Sequence, residues 1–187
     1  MNSSEMKITC PDCSKDAVLL QLIQKIPNFG DLLFSTTSCD HCGAKYSDVM
    51  PAEFHEPKVF EKKIENEKDM ETKIVKSSSC LVEIPELGMD VEPANSSQGY
   101  FTNIEGLLEK FEDVLEMLLR DAKKGRDKNK ERIVQSRMKK LLLAKQAKIP
   151  FTVIVKDPYG NSSLLGPGVK EKILTEKEIQ ELREMVQ

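Results

Sequence analysis

The sequence predicts an α+β fold that is mainly β, with a four-cysteine finger at the N-terminus and a helical hairpin inserted between β segments. Three observations lead to this prediction. Four of the five cysteines form two Cys-x-x-Cys pairs near the N-terminus. Apolar residues alternate with a period of two on both sides of the middle of the chain, and within the middle they recur at helical spacing. The chain has 187 residues, which is enough for one or two compact modules with a buried core.

The composition excludes several classes of protein. No apolar run approaches the roughly 18–20 residues that a membrane helix needs. The first nine residues, MNSSEMKIT, lack the apolar centre of a secretory signal. We therefore expect a soluble cytoplasmic protein with no membrane role, whose cysteines are reduced and not paired in disulfides.

The spacing of the cysteines predicts a metal site. Cys10 and Cys13 lie in the sequence CPDC, and Cys39 and Cys42 lie in CDHCG. A two-residue spacing suits a tight turn that directs both sulfurs at one metal, and two such turns supply the four thiolates of a closed tetrahedral zinc site. Four thiolates leave no open coordination position, so the expected zinc is structural and not catalytic. The alternative, a redox dithiol, requires a single pair beside a helix start.

The residues around the cysteines predict the shape of the finger. Apolar-rich segments at 18–26 and 32–37 are expected to form an extended hairpin with its turn at residues 27–31. Gly43 follows the second pair, where a turn with positive φ is expected. Residues 44–60 contain two prolines and are predicted to be a linker that leads into a strand. The predicted domains are therefore a zinc finger at 1–52 and a β-rich domain at 53–187.

Alternating apolar residues predict short β segments on both sides of the middle region. They lie at 59–91, interrupted by a charged turn at 65–73, and again at 151–165, where residues 162–165 are expected to pair back after a plain turn at 157–161. Cys80, which has no partner cysteine, is predicted to be a small core residue. A closing helix is predicted after Thr175, which is spaced to form a capping box with Glu178.

Residues 102–149 are predicted to form the helical hairpin. Thr102 and Glu105 are spaced as a capping box at its start, Gly125 lies where the first helix would stop, and Pro150 follows the second helix. Its apolar residues are expected to form a packing surface: Ile104, Leu107, Leu108, Phe111, Leu115, Leu118, Ile133, Val134, Met138, Leu141, Leu142 and Ala144.

The net charge of −3 conceals a strongly polarised chain. Residues 123–148 contain 11 basic and two acidic side chains, so this stretch carries +9 while the remainder carries −12. Three interpretations remain open: a face that docks on an acidic protein, a face that binds nucleic-acid phosphates, or a solvated helix that balances the acidic remainder. The stretch lacks aromatic residues for base stacking, which favours a protein partner. Its candidate contact residues are Arg126, Lys130, Arg137, Lys139 and Lys140.

No catalytic motif is present in the sequence. There is no Gly-rich phosphate loop, no HExxH and no Gly-x-Ser-x-Gly. The two histidines, His41 and His55, are expected to be exposed loop residues. A metal-dependent enzyme would need an open coordination position, which a four-thiolate site does not offer. We therefore predict that the protein is not an enzyme.

An ordered set of short motifs resembles the ZPR-type zinc-finger proteins over most of the chain. Besides the cysteine pairs, the motifs are IPNF at 26–29, CDHCGAKYSDV at 39–49, IVKS at 74–77, IPELGMDVEP at 84–93, TNIEGLL at 102–108 and DPYGNS at 157–162. The sequence departs from the family pattern at Met70 and Thr72, where members tend to have Leu and Arg.

The resemblance implies more than the residue patterns do. It implies a zinc finger similar to that of translation initiation factor two, joined to a double-stranded β-helix domain that carries a helical hairpin. Eukaryotic members have this module twice, whereas this chain has it once and is similar in that respect to archaeal members. The eukaryotic proteins bind translation elongation factor one-alpha, assist its folding, and are linked to growth-factor receptor signalling and nuclear relocation. For a single module, the resemblance implies the elongation-factor role.

Overall fold

The structure is a computed structural model that describes residues 2–26, 30–53, 55–93 and 97–185. Within these ranges the chain forms 12 β-strands and three α-helices, so the predicted mainly β fold with a helical insertion is confirmed. None of the helices in the described ranges is long and apolar enough to cross a membrane.

The N-terminal part of the chain forms one antiparallel sheet whose strands follow chain order. These strands are β1 (Asn2–Thr9), β2 (Asp16–Ile26), β3 (Gly30–Ser38) and β4 (Lys45–Pro51). β2 and β3 form the predicted hairpin, with Ile26 opposite Gly30, and residues 27–29 of its predicted turn lie outside the described residues.

Two strands of this sheet differ from the prediction. The polar β1 has no apolar alternation to reveal it, and it is defined by pairing with β2 along its whole length. The predicted linker at 44–60 is wrong over residues 45–51, because β4 pairs there with β3 and inserts the fully buried Val49 into an apolar cluster.

The remainder of the chain is built on two sheets that share one core. Its strands are β5 (Lys58–Ile64), β6 (Lys73–Lys76), β7 (Leu81–Ile84), β8 (Met89–Val91), β9 (Tyr100–Asn103), β10 (Phe151–Lys156), β11 (Ser163–Leu165) and β12 (Lys170–Ile173). One sheet has the order β12-β5-β10-β7-β8 and the other β11-β6-β9. Apolar side chains from both sheets, such as Val153 and Ile74, meet in a single buried cluster.

The predicted hairpin lies between β9 and β10 and covers this core. Its helices are α1 (Ile104–Lys124) and α2 (Lys128–Lys145). The inner face of the hairpin is buried as expected, at Leu107, Leu108 and Phe111 of α1 and at Val134, Leu141 and Ala144 of α2.

Three of the predicted packing residues of the hairpin are exposed instead. Leu118, Ile133 and Leu142 have 41%, 44% and 53% of their surface in solvent. Each lies beyond the stripe that contacts the β sheets, because the body of the protein covers only one side of the two helices.

The start of α1 also differs from the prediction. Thr102 belongs to β9, where it pairs with Ile74, so the predicted capping box of Thr102 and Glu105 is wrong. The cap is Asn103, whose side chain accepts a hydrogen bond of 2.9 Å from the amide of Gly106. Strand pairing extends through Asn103 itself, which moves the first helical residue to Ile104.

Three other local predictions are wrong, and long-range strand pairing accounts for the first of them. Residues 162–165 do not pair back on β10, because both edges of β10 are occupied by β5 and β7; β11 pairs with β6 instead. The charged segment at 65–73 contains a 3-10 helix, Glu67–Glu71, which buries Met70. Leu87, expected in a strand, lies in a second 3-10 helix, Pro85–Leu87.

Two further predictions are confirmed. Cys80 is fully buried in the core, and burial raises the pKa of its thiol to about 12. The closing helix α3 (Glu176–Met185) begins after Thr175, whose hydroxyl accepts from the Glu178 amide at 3.3 Å while its own amide donates to the Glu178 carboxylate at 2.8 Å.

The cap assignment leads to a matched pair of substitutions. Asn103→Ala removes the acceptor of the Gly106 amide and is expected to cost about 1 kcal/mol of unfolding free energy. Thr102→Val keeps a β-branched side chain in β9 and is expected to change stability by less than about 0.5 kcal/mol. Urea denaturation of both variants checks this, and the reverse order of effects would contradict the cap at Asn103.

Candidate metal centre and docking surface

The two cysteine pairs lie in turns of the same geometry. In the first, the Cys10 amide donates to the Lys15 carbonyl at 2.7 Å and the Ser14 amide donates to the Cys10 carbonyl at 2.9 Å. In the second, Cys39 and Gly43 take the places of Cys10 and Ser14, at 3.0 and 2.9 Å. Both Ser14 and Gly43 have positive φ, 57° and 77°, which confirms the expectation for Gly43.

These turns bring the four cysteine side chains together. The Sγ atoms of Cys10, Cys13, Cys39 and Cys42 all lie within 4.8 Å of one another. The distance from Cys10 to Cys42 is 3.7 Å and from Cys13 to Cys39 is 3.6 Å, far longer than a disulfide bond. A tetrahedral zinc ion with Zn–S bonds of about 2.3 Å places its sulfurs about 3.8 Å apart. The donor set therefore fits one closed tetrahedral ion.

The backbone amides of the turns also change the pKa values of the cysteine thiols, and therefore how readily the sulfurs bind a cation as thiolates. The backbone amide of Cys42 lowers the pKa of the Cys39 thiol to about 6, and the amide of His41 acts in the same direction. At Cys13 the Lys15 amide lowers the pKa, but desolvation and the three other thiols raise it, to about 12. Four adjacent thiols cannot all ionise in water without a compensating charge, and a divalent cation between them supplies that charge.

The metal cluster has only a small apolar core of its own. Cys10, Cys39 and Ala17 are buried, with Ile8 and Ala44 packed beside them. Outside this cluster, the Tyr46 hydroxyl of β4 donates a hydrogen bond to Asp12 of the first turn, which raises the pKa of Tyr46 to about 12. Because so little apolar surface is buried, bound metal must supply much of the stability of this end of the sheet.

The middle of β4 in the same sheet is joined to the body of the protein. The carboxylate of Asp48 in β4 accepts hydrogen bonds from the Ser78 amide at 2.9 Å and the Ser78 hydroxyl at 2.7 Å. The Gly99 amide donates to the Ser47 carbonyl at 2.8 Å. A Cβ on Gly99 would lie 2.2 Å from an Asp48 carboxylate oxygen, so only glycine permits this approach. The finger is therefore fixed to the body by specific polar contacts.

The structure does not gather all five predicted partner-contact residues into one site. Arg137 and Lys140 line a groove of about 440 Å³ on α2, together with Arg132, Ile133 and residues 87–88. Lys140 also donates to the Glu86 carbonyl at 3.0 Å. The other three predicted residues are exposed but do not line this groove: Arg126 and Lys130 lie at the tip of the hairpin, and Lys139 lies elsewhere on α2.

Exposed apolar residues accompany this positive charge. Val114, Met117 and Leu118 on α1, and Ile133, Leu142 and Leu143 on α2, are each between 39% and 53% exposed. These six residues are half of the large exposed apolar side chains in the described part of the chain. The candidate docking surface, defined here as the exposed residues of 114–143 in the hairpin, is therefore both cationic and apolar.

Sequence reasoning missed a polar cluster inside the body. The predicted plain turn at 157–161 begins with Asp157, which is only 1% exposed. Its carboxylate accepts from the hydroxyls of Ser77 and Ser162 at 2.5 Å and from Ser79 at 3.0 Å. These partners lie up to 80 residues away in sequence, so no local pattern reveals the cluster, although Ser77 lies in the IVKS motif and both Asp157 and Ser162 lie in the DPYGNS motif. The predicted exposure of His41 and His55 matches the structure.

Comparison with known families agrees with this architecture. Residues 4–57 match the model of the ZPR1 zinc-finger domain, and residues 68–184 match the model of the ZPR1 jelly-roll domain. A four-cysteine finger followed by a jelly roll with a helical insertion defines the chain as a zinc-finger protein that binds one structural zinc ion.

Whole-chain relatives are found in archaea and eukaryotes. The chain is 37% identical over 180 residues to a ZPR1-like protein of Methanocaldococcus jannaschii, covering 95% of this chain and 89% of that protein. It is 40% identical over 176 residues to a ZPR1-like protein of Pyrococcus horikoshii, covering 92% and 78%. The zinc finger chaperone zpr1 of Schizosaccharomyces pombe is 29% identical over 168 residues, covering 84% of this chain but 34% of that protein. The chain belongs to the ZPR1 family.

The metal centre gives a quantitative expectation. Purified protein should contain about one zinc per chain, and Cys10→Ser or Cys39→Ser should lose it, because three thiolates hold the ion far less tightly. Chelation should unfold the finger, since structural zinc contributes on the order of 10 kcal/mol to folding. Metal analysis and far-UV circular dichroism measure both effects. Cys80→Ala is the control and should retain its zinc; wild-type protein without zinc would contradict the assignment.

The hydrogen bonds between the finger and the body lead to a prediction about stability. Asp48→Ala removes two hydrogen bonds to Ser78 and is expected to cost about 2 kcal/mol of unfolding free energy, with the zinc content unchanged. Asp31→Ala removes an exposed carboxylate on the same sheet and should be neutral within about 0.5 kcal/mol. Denaturation of both variants compares them, and equal stability would show that the Asp48 contacts do not hold the joint.

Proposed function

We propose that this protein is a non-enzymatic, zinc-stabilised binding protein that engages translation elongation factor one-alpha, or a folding intermediate of it, and assists its folding in the cytoplasm. The observation on which the proposal depends is the docking surface of the hairpin, where exposed apolar side chains lie beside a concentration of positive charge.

The mixture of side chains on this surface favours a protein partner. Exposed apolar side chains gain free energy when a protein surface covers them, and such patches mark interaction sites. Around the groove, Arg132, Arg137 and Lys140 present cations next to the apolar Ile133. An acidic protein with apolar residues in its interface satisfies both features, and opposite charge also speeds its association.

Family membership supports the folding role. The related protein of Schizosaccharomyces pombe is named a zinc finger chaperone. The motif resemblance adds the elongation factor as the client of eukaryotic ZPR-type proteins. The finger at residues 10–42 is the expected second contact, and a closed four-thiolate zinc site supports a structural role for the metal rather than a catalytic one.

The positive charge of the hairpin is also compatible with an alternative function, which is the binding of nucleic acid. Binding to phosphates would depend on the lysines and arginines alone and would weaken steeply with salt. The six exposed apolar side chains of the hairpin have no use in such a complex, and the single aromatic residue of α1 and α2, Phe111, is buried, so base stacking on the two helices is not available.

A charge-reversal experiment tests the proposal. Arg137→Glu combined with Lys140→Glu should weaken binding to purified elongation factor one-alpha by about tenfold or more, because two attractive charges become repulsive at the groove. Calorimetry at fixed ionic strength measures the affinity, and the yield of active factor after refolding measures the chaperone role.

The matched control places the same charge change elsewhere. Lys170→Glu with Lys172→Glu alters two exposed lysines of β12, outside the hairpin, and should leave the affinity within about twofold. If the wild-type protein retains no elongation factor, with or without guanine nucleotide, the proposal fails. Strongly salt-dependent binding to RNA that is lost in the hairpin variant would favour the nucleic-acid alternative.

A further inference from the structure

A second cavity shares none of its lining residues with the basic groove. It has a volume of about 450 Å³ and lies between β8, residues 97–98, β9 and α1. Its walls include the apolar side chains of Val91, Leu107, Phe111 and Val114 together with Tyr100. This volume falls within the range of small-ligand sites. We call this cavity the Lys76 cleft after its most buried polar residue.

Lys76 lines this cleft although its side chain is fully buried. Its ammonium donates to the Ser77 carbonyl at 3.0 Å and to the Ser97 hydroxyl at 2.8 Å. An ammonium group has three donors, and acceptors in the described part of the chain take two of them. Lys76 is also 5.8 Å from the centre of the Tyr100 ring.

No carboxylate neutralises this buried charge by contact. Lys76 takes part in none of the ion pairs within the described ranges. The residues outside those ranges, 1, 27–29, 54, 94–96 and 186–187, include no aspartate or glutamate. By contrast, Lys62, the other buried lysine in the described chain, forms an ion pair of 2.5 Å with Asp69.

Burial without a contacting counter-charge is unfavourable for an ammonium group. Desolvation lowers the pKa of Lys76, although the more distant Asp48 and Asp157 act in the opposite direction. A buried positive charge that lies beside a cavity and has no contacting counter-ion is typical of a binding site. The ligand of such a site supplies the opposite charge.

We propose that the Lys76 cleft binds a single carboxylate carried on a compact apolar body. The carboxylate would accept a hydrogen bond from the ammonium of Lys76, and the apolar body would pack on Leu107, Phe111 and the Tyr100 ring. Lys110, whose ammonium lies 4.5 Å from the centre of the same ring, would add a second cation at the mouth of the cleft.

The charges around the cleft select against polyanions. Asp90 and Asp113 also line the cleft, where they are exposed and form no ion pair with either lysine in the described part of the chain. A phosphate group with two negative charges, or a nucleic acid, would meet these acids without an excess of positive charge. The cleft shares Val114 with the docking surface but none of the residues of the basic groove, and this inference does not depend on the proposed elongation-factor role.

Ligand titrations of the full-length, zinc-loaded protein test the proposal. The probes are 4-methylpentanoate and 3-phenylpropanoate, each compared with its amide, which has the same shape without the charge. The acids should bind at least about tenfold more tightly than the amides. In protein with isotope-labelled lysines, the acids should shift the NMR signal of Lys76, and the amides should not.

Variants separate ligand binding from a structural role of Lys76. Lys76→Met should abolish the preference for acid over amide and leave the melting temperature unchanged or higher, because a charge without a contacting partner is removed. Lys170→Met changes an exposed lysine of β12 outside the cleft, and this variant should bind the acids as wild type does. A blocked Leu-Glu-Leu peptide shows whether a protein chain also supplies the carboxylate.

Several results would overturn the proposal. They are equal binding of acid and amide to wild-type protein, no acid binding at about 10 mM, or acid binding that persists in Lys76→Met. The wild-type comparison and the Lys76 signal decide the question even if Lys76→Met does not fold. Tighter binding of the peptide or of the free acids would identify the source of the carboxylate, and either result requires the same chemistry at Lys76.

Discussion

The turn between β6 and β7 holds three parts of the molecule together. Ser77 and Ser79 donate their hydroxyls to the buried carboxylate of Asp157, which closes the body after β10. Ser78, between them, donates to Asp48 of the finger. Lys76, immediately before, faces the cleft beside α1. Neighbouring residues of this one turn therefore contact three different elements. Their few hydrogen bonds fix the position of the finger, of the end of β10 and of the cleft wall.

The parts of the fold that sequence reasoning predicted correctly are those that local residues decide. The spacing of Cys10, Cys13, Cys39 and Cys42 encodes two turns, and each turn forms from residues within a few positions of one another. The Thr175 cap and the stop of α1 at Gly125 are local in the same sense. Hence the metal site and the hairpin were predictable before any tertiary information was available.

The failures share a different cause, which is competition between distant segments for the same backbone. β11 pairs with β6 because β10 has no free edge, and strand pairing at Asn103 delays the start of α1 by one residue relative to the predicted box. The buried role of Asp157 depends on serines about 80 residues earlier in the chain. Sequence patterns alone also overestimated the packing surface of the hairpin, since periodicity cannot show where the body of the protein ends.

The backbone around Gly99, which approaches β4 closely, contacts two different parts of the molecule. Its amide holds the Ser47 carbonyl, while Ser97, two residues earlier, holds the ammonium of Lys76. One short piece of backbone therefore links the sheet that carries the metal to the wall of the cleft. The sheet that carries the metal and the wall of the cleft therefore share residues 97–99 as a common support.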